Sequence, residues 1–337
     1  MVRIITSLGL LAMLIGTARG VVISTVPVGS PGNAPDSYQG SGHGSVAYRY
    51  NIGTYDITNS QYAEFLNAKA STADPYQLLN PDMQLFATIT RSGSGPYVYK
   101  TSATVANKPV NHVTWYEAVR FVNWLQNGQG NGDTESGTYT ISNGFVTVPD
   151  PAKRQTWALT NSSHWLLPSE DEWYKAAYYN PQSNTYYQYP FQSNSEPADV
   201  DPPGNANSGN FTNVPGRNIF NMGPTNVGAY SASLSPFGSY DMGGNVYQWT
   251  DTAAFASPDT GVVLRGGSWD FSSYDSGSDF RSTYQAYDDR EDVGFRVASV
   301  GIVPEPATLA LGAIGVLSLL ALRHRELWRR TGVTARL

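Results

Sequence analysis

Three long segments rich in Gly, Asn, Pro and Ser interrupt this 337-residue chain and limit what it can fold into. They span residues 128–144, 181–223 and 231–244. Segments of this length exceed ordinary connections between helices and strands, and they lack the repeat that indicates a solenoid. Aromatic residues, at 12% of the chain, still supply enough apolar surface to form a core. The sequence therefore predicts a folded domain with little regular secondary structure.

Three helices are predicted, each from a capping residue followed by apolar residues at helical spacing. The predicted caps, in chain order, are Thr58 or Asn59, Thr114 with Glu117, and Ser169 with Glu172. We interpret the two glutamates as capping residues rather than catalytic acids, because each stands three residues after a Ser or Thr. A first strand is predicted near residues 46–50, after a Pro/Gly/Ser-rich lead that is typical of a linker.

The amino terminus has the features of a secretory signal peptide over residues 1–20. Arg3 precedes a short apolar run, and Ala18-Arg19-Gly20 follows with small residues at the first and third positions as a cleavage site. The chain contains no cysteine, so no disulfide is available after export. The same absence excludes a thiolate nucleophile and a sulfur-ligated metal.

The carboxyl terminus has three parts in order, which are Pro304-Glu305-Pro306, an apolar stretch at 307–322 and an arginine cluster. This order resembles the PEP-CTERM sorting signal of Gram-negative bacteria. The resemblance implies an exosortase-type enzyme as partner, an inner-membrane stage, and delivery to the cell surface or extracellular matrix. A plain membrane anchor is the alternative, although the apolar stretch is shorter than the ~20 residues of an ordinary spanning helix.

Removal of both ends makes the domain more acidic. Seven of the 21 Lys and Arg residues lie in these ends, against two of the 27 Asp and Glu residues. Nucleic acids and anionic membranes are bound through clustered Lys and Arg, so we expect neither as a partner of the mature domain.

Several sequence blocks resemble the formylglycine-generating enzyme, or sulfatase-modifying factor, family. The matching blocks are 55–66, 109–125, 166–179, 236–252 (PFGSYDMGGNVYQWTDT), 264–269 (LRGGSW) and 294–297 (GFRV). The resemblance implies an α+β, elaborated C-type-lectin-like fold with three main helices and small antiparallel sheets. The implied division is a linker at 21–44, the family domain at 45–300, the sorting signal with its short transmembrane segment at 303–330, and a tail at 331–337.

The family's active site is altered in this sequence. The positions of its two copper-binding cysteines fall at Phe271 and Ser276, and Ser268 and Trp269 beside them complete a candidate pocket. Copper(I) prefers sulfur ligands, so we expect neither copper nor formylglycine generation by the family's mechanism. The four histidines show no ligand spacing that suits the iron of related sulfoxide synthases.

Calcium is the cofactor that the resemblance still allows. Family members bind it through positions that correspond here to Asp241, the carbonyls of Gly244 and Val246, and Gln248 in place of a glutamate. Because Gln248 offers one oxygen and no charge, we expect weaker binding than in the family. A second family site corresponds to Asn210 and the carbonyl of Phe211. The alternative is that these side chains only bond turn amides.

Two functions from different classes remain. The first is a non-catalytic, envelope-associated module that binds peptide or exopolysaccharide through an aromatic-lined concavity. The second is a protein-modifying oxidase that uses a different site or metal. The acidic run at 288–292 fits a solvated loop better than a cation or substrate contact.

Overall fold

The computed structural model of this chain describes residues 20–38, 41–212, 223–255 and 258–301. The predicted signal peptide lies outside these residues apart from Gly20, and so do the tail and Pro304, Glu305 and Pro306 of the sorting signal. Within the described ranges, no helix is both long and apolar enough to cross a membrane.

Five α-helices are present in the described part of the chain. They are α1 (Asn59–Lys69), α2 (Pro81–Leu85), α3 (Trp115–Gln126), α4 (Pro151–Leu159) and α5 (Glu170–Tyr178). The three predicted helices correspond to α1, α3 and α5, and Thr58, Thr114 and Ser169 form their capping boxes. The two additional helices each begin with Pro after an Asn or Asp cap, a start signal that the prediction overlooked.

Sixteen short strands form two four-stranded sheets and four two-stranded sheets in the described residues. They are β1 (Thr25–Val28), β2 (Tyr50–Gly53), β3 (Thr90–Ser92), β4 (Val98–Lys100), β5 (Thr140–Ser142), β6 (Phe145–Thr147), β7 (His164–Leu166), β8 (Tyr179–Asn180), β9 (Thr185–Tyr186), β10 (Ala198–Asp199), β11 (Ser208–Gly209), β12 (Tyr247–Ala253), β13 (Val262–Arg265), β14 (Ser282–Tyr284), β15 (Val293–Phe295) and β16 (Ala298–Val300).

The two larger sheets join distant parts of the chain. One has the order β1-β2-β16-β7 and is antiparallel throughout. The other has the order β14-β13-β12-β15, and its β12–β15 pair is parallel. The prediction of small antiparallel sheets thus describes most of the pairs, while β12–β15 and β10–β11 are parallel.

The segment at 21–44, predicted as a linker, is part of the folded domain. It contains β1, which pairs with β2, and Val28 is fully buried. Asn33 then donates a hydrogen bond of 2.6 Å to the carbonyl of Gly44, which closes the following loop. The Pro/Gly/Ser-rich composition concealed this strand because its pairing partners lie outside the lead. The strand predicted near 46–50 begins at Tyr50.

Three fully buried tryptophans connect the helices to β12. Trp115 Nε1 donates to the Thr250 carbonyl at 2.8 Å, and Trp249 Nε1 donates to the Val113 carbonyl at 3.0 Å. Trp173 Nε1 donates to the side-chain oxygen of Gln248 at 2.6 Å. Each indole therefore buries a large apolar ring while its polar group stays hydrogen-bonded, which fixes β12 beneath the candidate site.

A buried ion cluster holds α4 against α5 and β12. Arg154 Nη1 lies 2.6 Å from Glu172 Oε2, and its Nη2 pairs with Asp251. Glu172 also accepts the Ser169 amide at 2.8 Å, so this carboxylate caps α5 and neutralises Arg154. This double role supports the structural interpretation of Glu172.

Candidate functional site

The two cysteine positions of the family carry side chains that are packed or hydrogen-bonded locally. The Phe271 ring lies 5.6 Å from the Tyr247 ring, centroid to centroid, in an edge-to-face arrangement. Ser276 is fully buried, and its hydroxyl donates to the Ser273 carbonyl at 2.7 Å. A phenyl ring and a satisfied hydroxyl do not fit copper(I), so no copper-dependent step can be derived for this place.

The other two residues of the predicted pocket lie in a small polar cluster. Ser268 is buried, and its hydroxyl donates to Asp292 Oδ2 at 3.0 Å. Arg290 Nε lies 2.9 Å from the other oxygen of Asp292. Trp269 Nε1 is buried without a hydrogen-bond partner among the described residues. Ser268 and Asp292 are therefore buried and bonded to each other.

Burial also affects the acids of this cluster. It raises the pKa of Asp275, whose carboxylate accepts a hydrogen bond of 2.7 Å from the Tyr247 hydroxyl. The pKa of Asp270 is raised first by burial and then by the nearby charge of Asp292.

The first predicted calcium site lies in a tight turn that leads into β12. Asp241 and Gly244 have positive φ values of 56° and 72°, which curl the backbone before Val246. Asp241 Oδ2 accepts the Gly228 amide at 2.6 Å. Burial raises the pKa of Asp241 to about 6, although this hydrogen bond and Arg296 oppose the shift.

Gln248 does not fit as the fourth calcium ligand in this arrangement. Its side-chain oxygen accepts hydrogen bonds of 2.6 Å from both Trp173 Nε1 and Arg296 Nε, which use both lone pairs. Its Nε2 donates to the Asp241 carbonyl at 2.6 Å. The hydrogen bonds of Asp241 and Gln248 agree with the alternative that these side chains bond backbone groups of the turn. Calcium binding stays a prediction.

Arg296 is the centre of this polar network. Its guanidinium is fully buried and donates to the carbonyls of Gly53 at 2.8 Å, Tyr240 at 2.9 Å and Asp241 at 3.1 Å. Its Nη2 also lies 2.9 Å from Asp56 Oδ1. Neither oxygen of Asp56 has an aligned hydrogen bond among the described residues. Burial raises the pKa of Asp56 to about 8 against the opposing charge of Arg296.

The second predicted calcium site is only partly described. Asn210 Nδ2 donates to the Gly223 carbonyl at 2.9 Å, and the Asn210 carbonyl accepts the Asn245 amide at 3.0 Å. The Phe211 amide lies 3.4 Å from Asp199 Oδ1. Residues 213–222, where the sequence shows no acidic partner, lie outside the described residues. Calcium at this place stays a prediction.

No group of three or more His, Cys, Asp and Glu side chains in the described ranges is arranged to hold a metal ion. The described histidines lie apart: His112 stacks on Phe86, and His164 stacks on Trp157 at 3.7 Å between ring centroids. His43 lies between two acids, with Nε2 3.6 Å from Glu170 Oε1. These positions do not fit a histidine-bound iron centre.

Two adjoining surface clefts are lined by residues other than those of the predicted pocket, and the sequence did not indicate them. Their volumes are about 430 Å³ and 560 Å³. They share Gln77, Thr114 and Glu117 as lining residues. Tyr287 and Asp289 line the first cleft, so part of the acidic run borders a concavity.

Glu117 stands where the two clefts meet. Its carboxylate accepts the Thr114 amide at 2.8 Å, as the capping prediction required. Burial raises the pKa of Glu117 to about 8, and its bonds to Thr114 oppose this shift. The predicted cap is confirmed, and no feature of the sequence indicated that the same residue borders a cleft.

Comparisons with known proteins agree with this architecture. A family model described as the sulfatase-modifying factor enzyme 1-like domain matches residues 25–300, and a model of the PEP-CTERM protein-sorting motif matches residues 303–325. The chain is 31% identical over 119 residues to hercynine oxygenase of Mycobacterium tuberculosis. That match covers 31% of this chain and only 25% of the relative.

Solved structures are similar over most of the chain. The crystal structure of CarF has a TM-score of 0.50 at 15% identity, and the match covers 83% of this chain and 99% of that one. PvdO from Pseudomonas aeruginosa has a TM-score of 0.40 at 18% identity, covering 83% and 92%. The likeness to CarF supports the α+β fold and carries nothing about activity.

Proposed function

Because this chain belongs to the sulfatase-modifying factor enzyme 1-like family, we propose that it is a binding member that has lost the family's copper chemistry. The observation that carries this proposal is the state of the two cysteine positions. Phe271 packs against Tyr247, and the Ser276 hydroxyl is bonded to the Ser273 carbonyl. Neither can act as a thiolate, so the retained scaffold serves recognition rather than cysteine oxidation.

The proposed ligand is a peptide or an exopolysaccharide of the cell envelope. Two open clefts and several exposed tyrosines provide concave and aromatic surface for such a chain. The acidic balance of the mature domain disfavours polyanionic ligands. A structural calcium ion bound near Asp241 remains part of the proposal.

Export brings the domain to its place of action. The PEP-CTERM motif at residues 303–325 implies export and processing by an exosortase-type enzyme. We propose an inner-membrane stage through this segment before release to the surface or matrix. Fractionation of the native host tests this step, with a chain that ends before residue 303 as the comparison. Loss of the truncated chain from the envelope is expected, and its retention there would contradict a sorting role.

A protein-modifying oxidase is the second candidate, and the similarity to hercynine oxygenase favours it. That similarity covers about a quarter of the relative, so the relative's activity does not follow for this chain. An oxidase would also need a metal held by oxygen and nitrogen ligands, because the chain has no cysteine. The described residues provide no cluster of this kind.

Parallel measurements on the full-length chain separate the two functions. Oxygen consumption with cysteine-containing peptides tests oxidation, and co-sedimentation with polysaccharide purified from the native host tests binding, with peptide arrays as the third assay. The proposal predicts binding in one of the last two assays and no oxygen consumption above buffer. Metal-dependent oxygen consumption with a modified peptide product would refute it.

A further inference from the structure

The two adjoining clefts form one groove built from distant parts of the chain. Its wall comes from the loop before α2, the first turns of α3 and the β5–β6 hairpin. The groove is lined in part by Tyr76, Gln77, Tyr116, Glu117, Arg120 and Tyr287. We propose that this groove is a saccharide-binding site for a neutral polysaccharide, which rests on the binding function proposed above and specifies its ligand.

Tyrosine rings provide flat apolar surfaces in the groove. Tyr76 is 42% exposed and Tyr287 is 58% exposed. The hydroxyl of Tyr116 donates to the Gly144 carbonyl at 3.0 Å, which holds this ring against the β5–β6 turn. Sugar rings present C–H faces that pack on such aromatic faces, while their hydroxyls point outward.

The groove is held in place before any ligand binds. Arg120 lies over the Tyr76 ring at 4.5 Å and is held by Glu135 through bonds of 2.8 Å and 3.0 Å. The carboxylate of Asp74 accepts the amides of Leu78 at 2.8 Å and Leu79 at 3.0 Å, which fixes the loop that carries Tyr76. A preformed site loses less conformational entropy on binding.

Gln77 on the same loop has a left-handed backbone conformation. Its φ is 54°, and its side chain is exposed at the junction of both clefts. This conformation is costly for a residue other than glycine and persists where surrounding contacts impose it. The turn thereby places an amide group, which both donates and accepts hydrogen bonds, where the two clefts meet.

The charged groups of the groove favour hydroxyl-rich, uncharged ligands. Its acids are Asp74, Glu117, Glu135 and Asp289, and its cations are Arg91 and Arg120. Both cations are engaged, since Arg91 lies 4.7 Å from the Tyr97 ring and Arg120 pairs with Glu135. The carboxylates of Asp74, Glu135 and Asp289 would repel a polyanion and can accept hydrogen bonds from sugar hydroxyls.

A peptide fits this set of groups less well than a polysaccharide. Recognition of an extended peptide relies on groups that bond its carbonyls or on an open strand edge beside it. The groove mostly presents carboxylate acceptors, with Asp289 also accepting Asn80 Nδ2 at 2.5 Å. Every ring of a neutral polysaccharide supplies hydroxyl donors to such acceptors, so the groove favours the saccharide.

Calorimetric titration of the full-length chain tests the site with defined probes. These are cellohexaose, xylohexaose, mannohexaose and N-acetylchitohexaose, with hexagalacturonate as the anionic probe and a pool of proline-rich peptides as the peptide probe. Tyr76→Ala and Tyr287→Ala remove the stacking rings, and Tyr76→Phe and Tyr287→Phe retain them. Tyr274→Ala is the matched control, because Tyr274 is 49% exposed and lines neither cleft.

At least one neutral hexasaccharide is expected to bind the native chain. Each Tyr→Ala change in the groove should weaken that binding about tenfold, while the Phe variants and Tyr274→Ala stay within about twofold. Absence of binding by all four neutral probes would overturn the proposal. Equal binding by native chain and Tyr→Ala variants would overturn it as well.

The same titrations distinguish failure of the site from failure of the function. Peptide binding without saccharide binding would refute the saccharide assignment and leave the binding module intact. Preferred binding of hexagalacturonate would also refute a neutral ligand. Metal-dependent oxygen consumption, in contrast, would refute the proposed function itself. Near-ultraviolet circular dichroism of each variant identifies any change caused by misfolding.

Discussion

Replacement of Arg296 by Met tests whether the polar network beneath the predicted calcium turn holds the domain together. The guanidinium is fully buried, donates to three backbone carbonyls and Gln248, and lies 2.9 Å from Asp56. Above about pH 8, where the Asp56 carboxyl is ionised, removing its buried partner costs about 3–5 kcal/mol, because the charge of the carboxylate is left uncompensated. We therefore expect Arg296→Met to lower the free energy of unfolding by about 4 kcal/mol.

Urea unfolding followed by tryptophan fluorescence measures this loss. With a urea dependence of about 3 kcal/mol per molar, the midpoint should fall by about 1–1.5 M. Adding Asp56→Asn should recover part of the loss, with a coupling of about 1–3 kcal/mol between the two positions. The loss should be smaller below about pH 8, because Asp56 then holds a proton and leaves no uncompensated charge.

Arg281→Met is the matched control. Arg281 also pairs with a buried carboxylate, that of Glu170, but its own side chain is 34% exposed and Arg265 remains as a second partner. We expect a loss of no more than about 1 kcal/mol from this change. A loss of that size for Arg296→Met, or no coupling to Asp56, would refute the reasoning.

Three further predictions concern pH, calcium and a helix cap. Burial raises the pKa of Asp56 and Glu117 to about 8, so the folded chain keeps protons that the unfolded chain releases above about pH 4–5. The stability they contribute is therefore present in acid and lost as pH rises to about 8, by up to ~1.4 kcal/mol per pH unit for each group. The free energy of unfolding of Asp56→Asn, measured with urea, should therefore fall less steeply with pH than that of the native chain. Calcium should raise the Tm of Gln248→Glu more than it raises the Tm of the native chain. At a calcium concentration a hundred times Kd, the added stability is worth about 2.7 kcal/mol. Equal rises in Tm for both chains would count against the turn as a calcium site. Ser169→Ala should cost about 1 kcal/mol in thermal unfolding and Ser169→Gly only a few tenths, and equal costs would contradict the cap.

Local sequence signals predicted the helices well. The capping boxes at Thr114 and Ser169 act within a single turn, so their residues are adjacent in the sequence as well as in space. The start signals Asn80-Pro81 and Asp150-Pro151 were also present, and each places a Pro at the start of a helix after an Asn or Asp cap. A prediction that gave more weight to Pro at the first helical position would have included both helices.

Long-range pairings were less accessible from the sequence. β1 lies in a Pro/Gly/Ser-rich lead, and its sheet is completed by β16 near the other end of the domain. Such a strand is stabilised by its partners rather than by its own composition. The predicted linker at 21–44 was wrong for this reason.

The candidate site shows the same limit. The sequence revealed that Gln248 lacks the charge of a glutamate, but not that Arg296, 48 residues away, donates to its oxygen. Tyr76 and Tyr287 border adjoining clefts although most of the domain separates them in the chain. Clefts of this kind are assembled by the fold, so spacing alone does not reveal them.

Elemental analysis of the full-length chain, purified without chelator, tests the central claim most directly. A binding member without the family's copper chemistry should contain neither copper nor iron in stoichiometric amount, whether or not calcium is found. One copper or iron per chain, whose removal abolishes oxygen consumption with a peptide substrate, would contradict the claim and establish an oxidase.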